Sequence, residues 1–401
     1  MAAPDLSQPV YDAGDGRRLS LQDLLEVFSK RGAMRVSDLH LKVGAPPVYR
    51  VDGDLQPAKT HPLDAETVEA LARQLLTEPE FALLGTRMAV DGSLFQGSLQ
   101  LRLNIFHDSH GLAIAIRALD AHPPDVEQLG FANQVWQDIV NRQQGLVLVT
   151  GVTGAGKSTT IASLVQRIAR NLPVRIITLE DPIEYRLEGG KSLISQREVG
   201  RHVPSYEIGL RDCLREDPDV IFVGEMRDRD ATTWTLTAAE TGHLVFSTLH
   251  TRDTRGTITR ILDMYPADRQ DEVANQMSLG LAYVISQKLV PRADGLGRVA
   301  AIEVLQNTYA VSNLIRLRKV EQLYSVLQTQ TKDTTPERMM TLERSLADLV
   351  HRGIVLPREA EKFANHPATF LDELKHLQGP LAETPPEEPR RRLPRHRESG
   401  M

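Results

Sequence analysis

Apolar and polar residues alternate strictly between positions 99 and 117. In SLQLRLNIF, Leu99, Leu101, Leu103 and Ile105 share one face, and Gln100, Arg102 and Asn104 the other. HDSHG makes a turn, and LAIAIR returns with Leu112, Ile114 and Ile116 on one side. Arg117 falls opposite them, beside the small Ala113 and Ala115. The pattern predicts a hairpin with one apolar face and both arginines off it. Upstream, LSLQDLLEVF has helical spacing, short strands are expected around turns at 44–47 and 52–54, and AETVEALARQLLT carries a second helical stripe.

Beyond ALDAHPPDVEQLG, whose two prolines and few core residues read as a linker, the period changes. GLVLVT, VRIITL, DVIFVG and HLVFSTL are β-rich and apolar nearly throughout, as strands are when both sheet faces are covered. Alternating with helical stretches, they predict an α/β fold with a doubly wound parallel sheet. Residues 255–372 read as mostly helical, with breaks at 291–297 and 353–357. The expected organisation is a loose polar arm over 1–19, a compact α+β domain over 20–117, a linker over 118–130 and the α/β domain over 131–372. A Pro- and charge-rich tail over 373–401, with an arginine run at 390–392, lacks the apolar residues to build a core.

Composition narrows the function classes. The 401 residues suffice for two or three domains, and 41% hydrophobic with 25% charged is ordinary for a globular chain. A net charge of −6 supplies no electrostatic reason for nucleic acid as the main partner. The one cysteine, Cys213, excludes an internal disulfide framework and a four-cysteine zinc module, and fits a reducing compartment. MAAPDLSQPVYDAGDG has neither the basic nor the apolar region of a signal peptide, and no apolar run approaches the roughly 18 residues that span a bilayer. The expectation is a cytoplasmic protein without direct membrane insertion.

The chemistry concentrates in the α/β domain. GVTGAGKST, residues 151–159, fits the G-x-x-x-x-G-K-[ST] phosphate loop. Gly151, Gly154 and Gly156 let the backbone of Val152, Thr153 and Ala155 curl its N–H groups around phosphate, while Lys157 reaches the β- and γ-phosphates. The Ser158 hydroxyl can ligate magnesium, and Thr159 continues into a helix whose N-terminal dipole favours the anion. Chance would give such a match in about one chain of this length in a hundred, and its place between a β run and a helix lowers that further. ITLEDPIEY puts Glu180, Asp181 and Glu184 at the end of the next strand, on the crevice the loop faces. In DPDVIFVGEMRD the metal-ordering Asp of such strands is replaced by Gly224, and the first acid is Glu225. With Glu180 and Asp181 supplying the metal's carboxylates, Glu225 is free to act as general base on an in-line water. His243 begins and His250 follows the fourth strand, where an imidazole could hydrogen-bond γ-phosphate.

These blocks, with SLISQREVGR, LREDPDVIFVGEMRD and TAAETGHLVFSTLHT, resemble the motor ATPases of type II/IV secretion and type IV pili, the retraction branch above all. The likeness runs from SDLHLKVGAPPVYRVDGDL to about residue 372. It implies a RecA-like P-loop NTPase core with an N-terminal PAS-like domain, ATP with Mg2+ as ligands, Glu225 as base and Glu180 as a metal-site acid. It also implies a homohexamer working with an inner-membrane pilus platform protein, and arginines of the N-terminal domain reaching the phosphates, at positions matched by Arg102 and Arg117. Departures are His110, where relatives carry an arginine before the glycine, and Ser312 and Leu317 in AVSNLIRLRK. The expected function is ATP hydrolysis driving pilus retraction. An accessory retraction motor and an extension or secretion ATPase are the alternatives within the family, and a RecA-like nucleic-acid translocase the one from another class.

Overall fold

The computed structural model describes residues 5–14, 16–29, 36–51, 53–131, 134–333 and 339–378, and the elements below are those of these residues. Its first segment corrects the loose arm expected over 1–19. Strand β1 (Pro9–Asp12) pairs antiparallel with β2 (Arg18–Ser20). Tyr11 is 1% exposed, and its hydroxyl donates to the His61 carbonyl at 2.6 Å. Leu6 and Ala13 are buried in the same core, so three side chains hold an otherwise polar stretch against the fold.

The N-terminal domain continues with α1 (Leu21–Ser29), β3 (Val36–Lys42), β4 (Val48–Val51), β5 (Asp54–Pro57), α2 (Ala65–Leu75) and α3 (Glu78–Arg87), then β6 (Ala89–Gln96), β7 (Leu99–Asp108) and β8 (Gly111–Asp120). Local chemistry sets the helix starts: Asp64 caps α2, and Thr77 with Glu80 closes a capping box on α3. The strands form an antiparallel sheet in the order β5-β4-β3-β8-β7-β6. Its β7–β8 hairpin has the predicted faces: Leu101, Leu103, Ile105, Ile114 and Ile116 are buried with α1 and α2, while Arg102 stands directly opposite Arg117. Two cations facing each other across strands destabilise by roughly a few tenths of a kcal/mol or more, so their pairing is a cost that stability alone does not explain.

The linker expected over 118–130 is neither free nor irregular throughout. β8 runs to Asp120, Ala121 is fully buried, and ion pairs from Asp125 to Arg170 (2.6 Å) and Glu127 to Arg167 (2.9 Å) dock the segment on the second domain.

That domain contains α4 (Val135–Val140), β9 (Gly145–Thr150), α5 (Lys157–Asn171), β10 (Arg175–Glu180), β11 (Leu193–Glu198), α6 (Tyr206–Cys213), β12 (Val220–Val223), α7 (Arg229–Glu240), β13 (Leu244–Leu249), α8 (Thr254–Asp263), α9 (Gln270–Gly280), β14 (Leu281–Pro291) and β15 (Arg298–Gln306). The sheet order is β11-β10-β12-β13-β9-β14-β15, parallel except for β15. All four apolar runs read as strands are strands, and helices cover both faces. The β14–β15 hairpin corrects the helical reading of 255–372. A run apolar on both faces carries no period to distinguish strand from buried helix, and LAYVISQKLVP is such a run.

Helices α10 (Tyr309–Arg316), α11 (Leu323–Asp333), α12 (Leu342–His351), α13 (Pro357–Phe363) and α14 (Pro367–Gln378) follow. The last three pack a small core against the hairpin, with Leu346, Ala360 and Phe370 fully buried or nearly so. α14 crosses the boundary expected at 372, since Phe370 and Leu374 share one buried face. The arginine run at 390–392 lies outside the described residues.

Candidate nucleotide site

The loop between β9 and α5 turns on glycines with positive φ, +146° at Gly151 and +85° at Gly156. A Cβ on Gly151 would lie 2.5 Å from the Gln287 carbonyl oxygen, so only glycine fits there. α5 opens at Gly156 with no side-chain cap, leaving the N–H groups of its first turn for an anion at the positive end of the helix. Lys157 is 8% exposed. Its Nζ donates to the carbonyls of Gly151 (3.0 Å) and Val152 (3.3 Å) and lies 3.4 Å from His250 Nδ1. Burial lowers its pKa, against the raising charges of Glu225 and Glu184. Among the described residues no carboxylate forms an ion pair with it. A desolvated ammonium lacking such a partner, beside free N–H groups, is a donor set that a polyphosphate completes.

The acids converge from two other strands. Glu180 ends β10, 5% exposed, accepting from Thr178 Oγ1 at 2.7 Å and Gln196 Nε2 at 3.2 Å. Burial pushes its carboxyl up to about 7 despite those bonds. Asp181 pairs with Arg227 at 3.4 Å. Glu225, one residue past Gly224, accepts from Arg227 Nε at 3.1 Å and faces His250 Nε2 at 3.3 Å. The missing Asp has a steric reason: a Cβ on Gly224 would meet the Tyr206 hydroxyl at 2.7 Å and the Leu179 carbonyl at 3.2 Å. Tyr206 from α6 fills the space, and the acids that line the crevice are Glu180, Asp181, Glu184 and Glu225.

The N-terminal domain closes the crevice. Arg102 forms an ion pair with Glu184, and Gln100 donates to the Ile183 carbonyl. Arg117 holds Asp38 at 2.8 Å. Together with the phosphate loop, Glu180, Asp181, Glu225 and His250, both arginines line one cavity of about 580 Å³, a volume suited to a small-molecule ligand.

His243, expected at the phosphates, does not line this cavity. His243 precedes β13 at its amino end, roughly 20 Å along the strand from His250. There its backbone and Nδ1 lie against the Ala238 carbonyl at 3.3 and 3.0 Å. Parallel strands send their carboxyl ends, not their starts, to the crevice. His110 sits in the hairpin turn, 3.9 Å from Asp108, outside the cavity lining.

Other residues escaped the sequence reading. Arg227 bridges Asp181 and Glu225. Gln287 of β14 grips the phosphate loop from behind, donating to the Ala155 carbonyl at 2.5 Å and accepting from Thr160 Oγ1 at 2.8 Å. A glutamine inside an apolar run was the available signal. Gln287→Leu unsatisfies two buried groups at about 1 kcal/mol or more each. We expect nucleotide affinity about tenfold weaker with the fold intact, read by fluorescent-nucleotide titration and circular dichroism.

A magnesium ion fits the donor set. Among the described residues no cluster of three His, Cys, Asp or Glu side chains could hold a metal alone. Mg2+ instead keeps waters and substrate phosphate oxygens and takes one or two protein ligands. The Ser158 hydroxyl and the carboxylates of Asp181 and, through water, Glu180 would hold it.

The family model of the type II/IV secretion system protein matches residues 35–313. The type IV pilus retractation ATPase PilT of Pseudomonas aeruginosa is 40% identical over 353 residues, covering 88% of this chain and 100% of that protein. The twitching motility protein of Neisseria gonorrhoeae is 40% identical over 321 residues, 80% of this chain and 84% of its own length. Among solved structures, the pilus retraction motor PilT with bound ADP superposes with a TM-score of 0.78 at 40% identity, covering 86% of this chain and 98% of that one.

Proposed function

We propose that this chain, which belongs to the type II/IV secretion system protein family, is the ATP-hydrolysing motor of type IV pilus retraction, working as a magnesium-dependent homohexamer. The observation that carries the reading is the composite cavity. A phosphate loop, a pair of arginines from another domain and Glu225 line the same cavity.

The residues divide the work as follows. The loop's N–H groups and Lys157 bind the phosphates, and bound magnesium would neutralise charge on the β- and γ-oxygens. Glu225 accepts a proton from the water whose oxygen attacks the γ-phosphorus, and the bond to the ADP oxygen breaks. His250, against both Glu225 and Lys157, registers whether the terminal phosphate is present. Arg102 and Arg117 are held by Glu184 and Asp38 in the structure, and a γ-phosphate competes for both. Loss of the phosphate returns them to their carboxylates, so the chemical state sets how the domains meet.

No helix of the described residues is long and apolar enough to cross a membrane. In this reading the ring works on an inner-membrane pilus platform by docking to it. Deleting the gene tests the biological role. The expected result is retained pili with surface motility abolished. Pili lost altogether would assign the chain to extension, and DNA-stimulated, salt-sensitive hydrolysis would assign it to a translocase.

A further inference from the structure

One buried carboxylate outside the cavity is tied to the loop that carries His250. Glu303 of β15 is 3% exposed and in register with Ser286, on the face of the hairpin opposite Gln287. Its Oε1 accepts from both the N–H and the hydroxyl of Thr254, each at 2.8 Å. Thr254 is the first residue of α8, so its N–H is one of the helix's orphan donors, and a carboxylate there also answers the dipole. His250 lies four residues earlier. Apart from His250's own contacts with Lys157 and Glu225, the other side-chain ties of this stretch among the described residues stay local: Thr251 to Thr257 at 2.6 Å, and Asp253 to Gly256 N–H at 2.5 Å. The bonds to Glu303 fasten it to the sheet.

We propose that Glu303 is a positioning residue for the hydrolysis reaction, fixing segment 250–254 through Thr254 so that His250 stays between Lys157 and Glu225. The inference rests on the ATPase reading above. A carboxylate is an expensive anchor at this place. Burial, with the charges of Asp253 and Glu343 of α12 adding to it, pushes its carboxyl up to about 7, against the lowering bonds from Thr254. Lys288 of β14 lies among the same carboxylates, with Arg252 near it, and Tyr324 of α11 also senses Glu303. The bonded pair also links the sheet strand adjoining the C-terminal helices to the γ-phosphate sensor.

A double-mutant cycle tests it. Glu303→Leu keeps the volume and removes the acceptor. It should lower kcat about tenfold with the KM for ATP changed by less than about twofold, because the loop at 151–159 with Lys157 makes most of the phosphate contacts and His250 at most one. In a His250→Ala background the same substitution should cost nothing further. Glu303→Gln, which retains Oε1, should recover most of the rate, and Thr254→Val should fall in the same direction as Glu303→Leu. In nucleotide-free protein the His250 ring nitrogen resonances should move in Glu303→Leu and Thr254→Val, a readout independent of turnover. An equal loss in both backgrounds, or unmoved His250 resonances, overturns the inference. Absence of wild-type turnover would overturn the ATPase reading instead, while the resonances still decide whether Glu303 places His250.

Discussion

Glu225→Gln binds ATP as tightly as the wild type and releases phosphate about a thousandfold more slowly, the loss expected when a positioned general base is removed. The amide matches the carboxylate in shape, so Arg227 Nε at 3.1 Å keeps an acceptor. What disappears is a basic lone pair at the cavity acid that faces His250, which in turn lies 3.4 Å from Lys157. Glu180 is unsuited to replace it, being buried, doubly hydrogen-bonded and shifted up to about 7. Asp181 is engaged by Arg227. The variant should therefore accumulate in the ATP-bound state, visible as retained nucleotide after rapid desalting. Turnover at the wild-type rate would place the base elsewhere.

Lys157→Ala weakens ATP binding about a hundredfold, the scale of one or two charge-assisted hydrogen bonds to phosphate. Stability without ligand should hardly change. In that state the ammonium is desolvated, bonded to two backbone carbonyls and paired with no carboxylate among the described residues. The contrast appears in a thermal melt. Wild-type protein at a hundredfold excess of ATP over its Kd gains about 2.7 kcal/mol, and the variant at the same concentration gains a small fraction of that. An equal rise in melting temperature in both proteins would remove Lys157 from the phosphate site.

How much of this was readable in advance depended on whether a local pattern carried the information. The hairpin at 99–117 was legible because alternation fixes which residues share a face, and Arg102 and Arg117 follow from it. The phosphate loop was legible because its glycines answer backbone demands set by a few neighbouring atoms. Membership of the family was legible too, from several blocks in order. The β14–β15 hairpin was not, because strands buried on both sides have no period, and with it went Gln287 and Glu303. Tyr206 and Gly224 form a pair separated by 18 positions that meet only once β10, β12 and α6 are packed. The sequence shows the absent Asp but not the phenol in its place. His243 differs for another reason: the apolar run marks a strand, but only its carboxyl end, at His250, reaches the crevice. The N-terminal arm is polar on average, which the buried Leu6, Tyr11 and Ala13 outweigh.

The central claim is that a nucleoside triphosphate lies between the two domains with its terminal phosphate shared by them. It is tested most directly by a structure of the full chain with magnesium and a non-hydrolysable ATP analogue. The account predicts the γ-phosphate within about 3 Å of Lys157 Nζ, with Arg102 released from Glu184 and turned onto the phosphate and Glu225 facing an in-line water. A nucleotide bound away from the loop at 151–159, or a γ-phosphate in place while Arg102 and Arg117 remain on Glu184 and Asp38, would contradict it.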